Sequence, residues 1–314
     1  MYRYPTNSYI SSMKNTFTES NSSFLGLFFI SLTIVLISKL IFNVLALGFI
    51  KQIWDLDTQT VFYDLENGIF NYIYAHKALA LFDQIGTFLL PSVVLILIFK
   101  TLKPEIIAPK KKDGLKLLLM FVILLGITQL LSYISVFIGY DFLSESVQSY
   151  LKTQQEFNTN LQDKFIDPNF NSFIFNVILL ALIPAIGEEL FFRAVIQNIF
   201  IKLFKNTLLG IILTSVIFGL LHFQIDNLLA IIFASILFGF IYEKSKNLSL
   251  TIILHFCFNF FALISMQALK TNLLSENKME LIANYLIIPA SILIGIIVVR
   301  KKLFWKEELL LPVD

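Results

Sequence analysis

Residues 184–193 read Pro184-Ala185-Ile186-Gly187-Glu188-Glu189-Leu190-Phe191-Phe192-Arg193. Two adjacent carboxylates and a guanidinium stand in a run otherwise apolar enough to lie in a bilayer. A charge at membrane depth costs about 2.5–3.5 kcal/mol on insertion scales, so it is retained where it serves a function and faces a partner or a wet cavity. On a helix, Glu189 and Arg193 are four residues apart, share a face and can pair. Glu188 lies about 100° round the same helix and points elsewhere. Glu189 and Arg193 therefore read as a structural ion pair. Glu188 reads as the carboxylate left free for chemistry, because an unpaired buried acid needs a compensating role.

The composition around this stretch sets the fold class. The 314 residues are 57% hydrophobic and 15% charged, with a mean hydropathy of +0.77, whereas soluble domains carry about 25% charged residues. The expectation is an all-α integral membrane protein, a bundle of about eight transmembrane helices around an intramembrane polar cavity. A net charge of +2 gives no footing for a nucleic-acid partner; the partner surface is the lipid bilayer. The single cysteine, Cys257, allows no intrachain disulfide.

Working outward, residues 1–23 form a polar arm rich in Ser, Asn and Thr. Residues 24–306 read as a single transmembrane domain and 307–314 as a tail. Spans are expected near 24–50, 83–100, 115–139, 171–204, 207–223, 228–242, 248–268 and 281–299. In the first, Lys39 and Asn43 share a face that should look into the bundle. The fourth is too long for a straight crossing, so it is tilted, broken at Pro184 or extends past the membrane. Residues 51–82 read as an external loop carrying an interfacial helix, with His76 a solvated loop histidine. Residues 140–171 read as a second external segment, in which Ser144–Asn160 can form an amphipathic helix over the bundle. Lys100, Lys103, Lys110, Lys111, Lys112 and Lys116 crowd one loop. Lys202 and Lys205, Lys244 and Lys246, and Arg300 to Lys306 fall at alternate loops. By the positive-inside rule these are cytoplasmic, as are both termini of a multi-pass protein of the cell membrane. A bacterial host is expected, since no eukaryotic retention signal is visible. No internal repeat is seen, so the inverted-repeat signature of transporters is missing.

Three further polar groups fall within the late spans. His222 closes Phe218-Gly219-Leu220-Leu221-His222, and His255 and Asn259 lie four apart in His255-Phe256-Cys257-Phe258-Asn259, on one helix face. An acid, two imidazoles and an amide in an apolar bundle suit water activation. Glu188 could act as general base toward water, and an imidazole with an amide donor could hold the oxyanion of an attacked carbonyl. Glu188, His222 and His255 are also donors of the kind that bind zinc or another divalent metal, although no H-E-x-x-H is present. The same set would serve a non-enzymatic immunity or transport protein as a proton or ion site.

Glu188-Glu189-x-x-x-Arg193, Phe218-x-x-x-His222 and His255-x-x-x-Asn259, in that order on successive spans, resemble the three signature motifs of the CPBP intramembrane proteases, also called CAAX proteases, bacteriocin-processing enzymes or the Abi family. The resemblance covers about residues 172–265. It implies endopeptidase activity in a cavity within the bilayer, on a peptide or a protein that can be prenylated. It further implies Glu188 as the water-activating base, His222 as its proton shuttle or a ligand, and His255 and Asn259 as oxyanion stabilisers. Glu189 and Arg193 support them, and the family's dependence on a metal or on glutamate alone stays open. One feature conflicts with the expected spans. His222 falls about 22 Å from the inner end of its helix and His255 about 10 Å from its own, at 1.5 Å per residue. The two meet only if the fifth span starts later, tilts or is broken.

Overall fold

The computed structural model describes residues 21–300 apart from 68, 70 and 140. Almost all of the expected arm 1–23, and the whole of the tail 307–314, lie outside the described residues. The helices run α1 Asn21–Trp54, α2 Thr58–Glu66, α3 Ile73–Ile98, α4 Lys111–Ile138, α5 Glu145–Phe165, α6 Phe170–Phe204, α7 Thr207–Leu220, α8 Leu228–Ser245, α9 Leu248–Lys270 and α10 Glu276–Arg300. Among the described residues there is no strand, only an isolated bridge between Glu105 and Asn247. Seven of the helices are long and apolar enough to cross a membrane. Their outward side chains suit lipid: Leu40, Val44, Leu97, Phe137 and Tyr285 are all exposed. The chain is an all-α, multi-pass membrane protein.

Two expectations need correction. The fifth span is α7, which has only 14 residues. It rises about 21 Å against a hydrocarbon core of about 30 Å, so seven of the eight expected spans are full length and one stops short. The second span begins at Ile73 rather than near 83, so the end of the 51–82 segment is not a loop. His76 is 3% exposed and Lys77 is fully buried. His76 Nδ1 pairs with the Tyr72 carbonyl one turn back at 3.0 Å, whereas the partners of Lys77 come partly from elsewhere in the fold. Lys77 Nζ donates to Ser172 Oγ at 2.7 Å and lies over the rings of Tyr74 and Phe165. Lys77 is thus housed by α5 and α6, and His76, read from the sequence as a solvated loop histidine, is buried in α3. The face of α1 that carries Lys39 does meet a partner: its Nζ pairs with Asp83 of α3 at 2.5 Å.

Helix α6 is the centre of the bundle. All eight residues of Leu190–Gln197 are buried. Phe191, Phe192, Val195 and Ile199 share one apolar cluster with Leu95 of α3 and Phe218 of α7. The helix crosses Pro184 without a break. Val177–Leu182 is π-helical, Ile183–Glu189 is α-helical with Pro184 in its first turn, and Leu190–Gln197 is π-helical again. The wide turn before Pro184 accommodates its ring and its missing N–H. Gly187 lets α3 come close, since a Cβ there would stand 3.2 Å from Phe88 Cβ and 3.3 Å from the Leu89 nitrogen.

Helices α6 and α7, and again α8 and α9, are joined by the same device. Lys205 and Lys246 adopt left-handed conformations that end one helix. Asn206 and Asn247 then cap the next, accepting from the backbone N–H groups of Leu209 and Ser249. These turns lie at the lysine-rich end of the bundle. At the opposite end α5 crosses the helix termini. Asp163 pairs with Lys270 at 2.7 Å, Gln267 donates to the Asp167 carbonyl at 2.8 Å, and Gln155 donates to Asp226. An amphipathic helix over the bundle is therefore what the structure shows there.

Helices α4 and α10 touch through Gly126, where a Cβ would come within 2.7 Å of the Ile287 carbonyl oxygen and run into the Ser291 side chain. Backbone cannot yield as a flexible side chain can. Gly126→Ala is expected to lower stability by about 1–3 kcal/mol, read as a reduced melting midpoint of the detergent-solubilised protein. An unchanged midpoint would show that α10 shifts freely.

Candidate active site

The site is assembled from the inside outward, beginning with a cation. Arg193 is fully buried. Its Nε donates to Glu189 Oε2 at 3.1 Å, one turn back along α6, and its Nη2 donates to Ser235 Oγ of α8 at 2.9 Å. The guanidinium carbon lies 5.7 Å from the ring centre of Phe218 and 5.9 Å from that of Phe238, within range of cation–π attraction. The pair expected from the four-residue spacing is present, with both side chains at 0% exposure.

Glu189 has a second oxygen, and it is used. Oε1 stands 3.1 Å from His255 Nδ1 of α9. A carboxylate bound to arginine can only accept, so Nδ1 carries a proton there. The opposite ring nitrogen, Nε2, faces Glu188 Oε2 at 3.9 Å, beyond direct hydrogen-bonding distance. Phe238 stacks on the same imidazole at 5.1 Å, with an angle of 23° between the planes. The ring is thereby fixed in position and orientation, and Arg193, Glu189, His255 and Glu188 form one continuous series. Glu188 is 7% exposed and His255 5%, so neither looks out at lipid.

His222 is placed differently. It is half-buried and lies in the turn after α7, and its Nδ1–H donates to the Phe218 carbonyl at 2.7 Å. That bond leaves Nε2 as the available nitrogen. Its ring packs on Phe218 at 4.5 Å, and Phe218 in turn meets His255 at 6.3 Å. The two histidines share Phe218 as a neighbour. Among the described residues no hydrogen bond or ion pair joins His222 to Glu188, Glu189 or His255. Helix α7 starts at Thr207, as expected, and His222 sits beyond its last turn, so its distance along the helix from the lysine-rich end is unchanged. Asn259 is half-buried, one turn from His255 on the same helix, and its side chain makes no hydrogen bond among the described residues.

Glu188, His222 and His255 are the candidate ligands for zinc or another divalent metal. Among the described residues, no three side chains of His, Cys, Asp or Glu are grouped so as to hold a metal ion. Glu188 and His255 face each other at 3.9 Å, and His222 is not grouped with them. Two residues of the site were not singled out in the sequence, Ser235 and Phe238. Ser235 offers a faint signal as a hydroxyl in an apolar helix. Phe238 offers none, being one of 33 phenylalanines.

The class defined by this fold and site is a multi-pass helical membrane protein with a buried carboxylate–imidazole series between its late spans. Residues 170–261 match the family described as Type II CAAX prenyl endopeptidase Rce1-like. The match covers less than a third of the chain and contains all three motifs. It supports the similarity of the motif-bearing part of the chain to the CPBP/CAAX intramembrane proteases. No curated protein and no solved structure gives a significant match.

Removing the cation should expose how much rests on it. Arg193→Ala leaves the Glu189 carboxylate buried without its counter-charge and is expected to cost about 3–5 kcal/mol. Ser235→Ala removes the acceptor of a buried, charged donor and is expected to cost about 1.5–3 kcal/mol. Melting curves of the two variants that coincide with the parent's would count against the pairing.

Proposed function

We propose that the protein is an intramembrane endopeptidase of the CAAX type, which hydrolyses a peptide bond with water activated by Glu188. The observation that carries this reading is the series from Arg193 through Glu189 and His255 to Glu188, buried inside a bundle whose motif region matches that family. Glu189 is committed to Arg193 and His255, whereas Glu188 has no such anchor and is the carboxylate available to take a proton.

In this reading a water molecule lies within reach of Glu188 Oε2 and the scissile carbonyl. Glu188 takes a proton from the water as the oxygen adds to the carbonyl carbon. The resulting oxyanion receives hydrogen bonds from the Asn259 amide and from His255, whose Nε2 donates when the ring carries both protons. The proton passes from Glu188 to the leaving nitrogen, with His222 Nε2 as a shuttle, and the C–N bond breaks to give a carboxylate and an amine. Phe238 and Glu189 restrict the His255 ring to one orientation, so little reorganisation accompanies charge development. Every step uses side chains of the chain itself, and none is assigned to a metal. The lysine-rich end of the bundle supports a cytoplasmic location for both termini. A peptide or protein is the substrate, and a prenyl group on it is compatible with the lipid setting.

The test is cleavage of a peptide library by the purified protein in detergent, read by mass spectrometry. Glu188→Gln is expected to slow cleavage by about 10²-fold or more, as loss of a general base does, with an unchanged melting curve because that side chain anchors nothing. His222→Ala should slow it as well while leaving the fold intact. Cleavage is expected to persist in excess EDTA. Equal rates for the parent and Glu188→Gln would end the enzyme reading and favour a proton or ion site.

A further inference from the structure

The ion pair between Lys39 of α1 and Asp83 of α3 lies outside the candidate active site and outside the matched region 170–261. Its Nζ and Oδ1 atoms are 2.5 Å apart, and the ammonium also donates to Thr87 Oγ1 at 3.3 Å. The pair is deep. Exposed Lys51, bound to Asp55, marks one end of the apolar part of α1. Lys39 stands twelve positions further in, about 18 Å at 1.5 Å per residue. Toward the other end, fifteen positions separate it from Phe24, about 22 Å. A four-carbon stem spans far less than either distance, so the ammonium cannot snorkel to the headgroups.

This deep pair is open on one side. The side chains of Lys39 and Asp83 are 41% and 36% exposed, whereas both members of the Arg193–Glu189 pair are at 0%. The surface around the opening faces outward. Leu32, Leu36 and Leu40 of α1 and Leu90 of α3 are all exposed. Leu32, Leu36, Lys39 and Asn43 follow the spacing of a single helix face. Asn43, half-buried one turn from Lys39, makes no side-chain hydrogen bond among the described residues. Ionised groups at this depth face protein or a wet cavity. A border of leucines around a polar centre suits contact with protein better than standing water.

A second copy of the chain supplies the complementary surface. Lys39 and Asp83 lie side by side, on neighbouring helices, at one depth. A two-fold axis along the membrane normal preserves depth and exchanges lateral positions. It therefore sets the ammonium of each copy opposite the carboxylate of the other. Such an interface is isologous, the same patch meeting itself. Any other partner would need a matching pair of charges at the same depth, and a second copy carries one by construction. We propose that the outward face of α1 and α3 around Lys39 and Asp83 is a homodimer interface within the bilayer, closed by four charges of alternating sign.

The experiment exchanges the two charges. Lys39→Asp combined with Asp83→Lys keeps an ion pair within each chain, and two exchanged chains remain complementary to each other. A parent chain beside an exchanged chain instead sets lysine against lysine and aspartate against aspartate. Full-length chains fused to donor or acceptor fluorescent proteins are co-reconstituted at low density in phosphatidylcholine vesicles, and energy transfer is measured. Parent with parent, and exchanged with exchanged, are expected to show transfer. The mixed pair is expected to show transfer about fivefold weaker or more, since like charges brought together suppress the wrong pairing. Should the exchanged chain fail to fold, the neutral variant Lys39→Met with Asp83→Asn provides the readout, with transfer expected to fall below the parent's. A second measurement locates the contact. In chains carrying Cys257→Ala, Leu36→Cys is expected to cross-link between copies with a short bis-maleimide, and exposed Leu293→Cys of α10 is not. Mixed transfer equal to the parent's, a neutral variant that associates as the parent does, or a parent without transfer above background would overturn the proposal. Cross-linking at 293 as efficient as at 36 would overturn it as well.

Discussion

The guanidinium of Arg193, taken wholly out of water, is the constraint that organises this bundle. A buried cation cannot be left uncompensated, and each of its contacts comes from a different direction. Glu189 on α6 neutralises it, Ser235 on α8 accepts from it, and the rings of Phe218 on α7 and Phe238 on α8 enclose it. The second oxygen of Glu189 then reaches α9 through His255. One cation thus sets the mutual positions of four helices. A hydrophobic interior alone would tolerate sliding among them, because lipid and side chains are equally apolar.

Glu188 gains its character from this arrangement by contrast. Its neighbour engages both Arg193 and the Nδ1–H of His255, and Glu188 faces the far edge of the His255 ring at 3.9 Å. The π-helical turns on either side of Ile183–Glu189 keep α6 continuous through Pro184 while presenting adjacent glutamates to different surroundings. Irregular helices of this kind are common at functional sites, where a side chain has to be aimed. The truncation of α7 belongs to the same pattern. Its early end leaves His222 on a non-helical segment, and Gln155 of α5 binds Asp226 in the turn that follows.

Much of this was legible from local patterns. The apolar runs announced the spans, and four-residue spacing announced both the Glu189–Arg193 pair and the shared face of His255 and Asn259. The lysine clusters marked one end of the bundle. Where the reading failed, the cause was distance along the chain. Lys77 falls in a segment that looks like a loop because the groups that house it, Phe165 and Ser172, lie some ninety positions away. The length of α7 was misjudged because Leu221-His222-Phe223 continues an apolar run, and hydropathy does not register a backbone that has left the helix.

Taken alone, the amino-acid order determined that the chain is a helical membrane protein and that a free acid, an ion pair and two imidazoles stand inside it. Helical spacing and the cost of burying charge are local properties, readable one segment at a time. Only the tertiary structure decided which oxygen faces which nitrogen: that Glu189, not Glu188, holds the His255 ring across 66 positions of sequence, and that Ser235 and Phe238 complete the enclosure of Arg193. Those choices depend on how helices rotate against one another, and that rotation is set by the sum of many contacts between segments that carry no sign of each other.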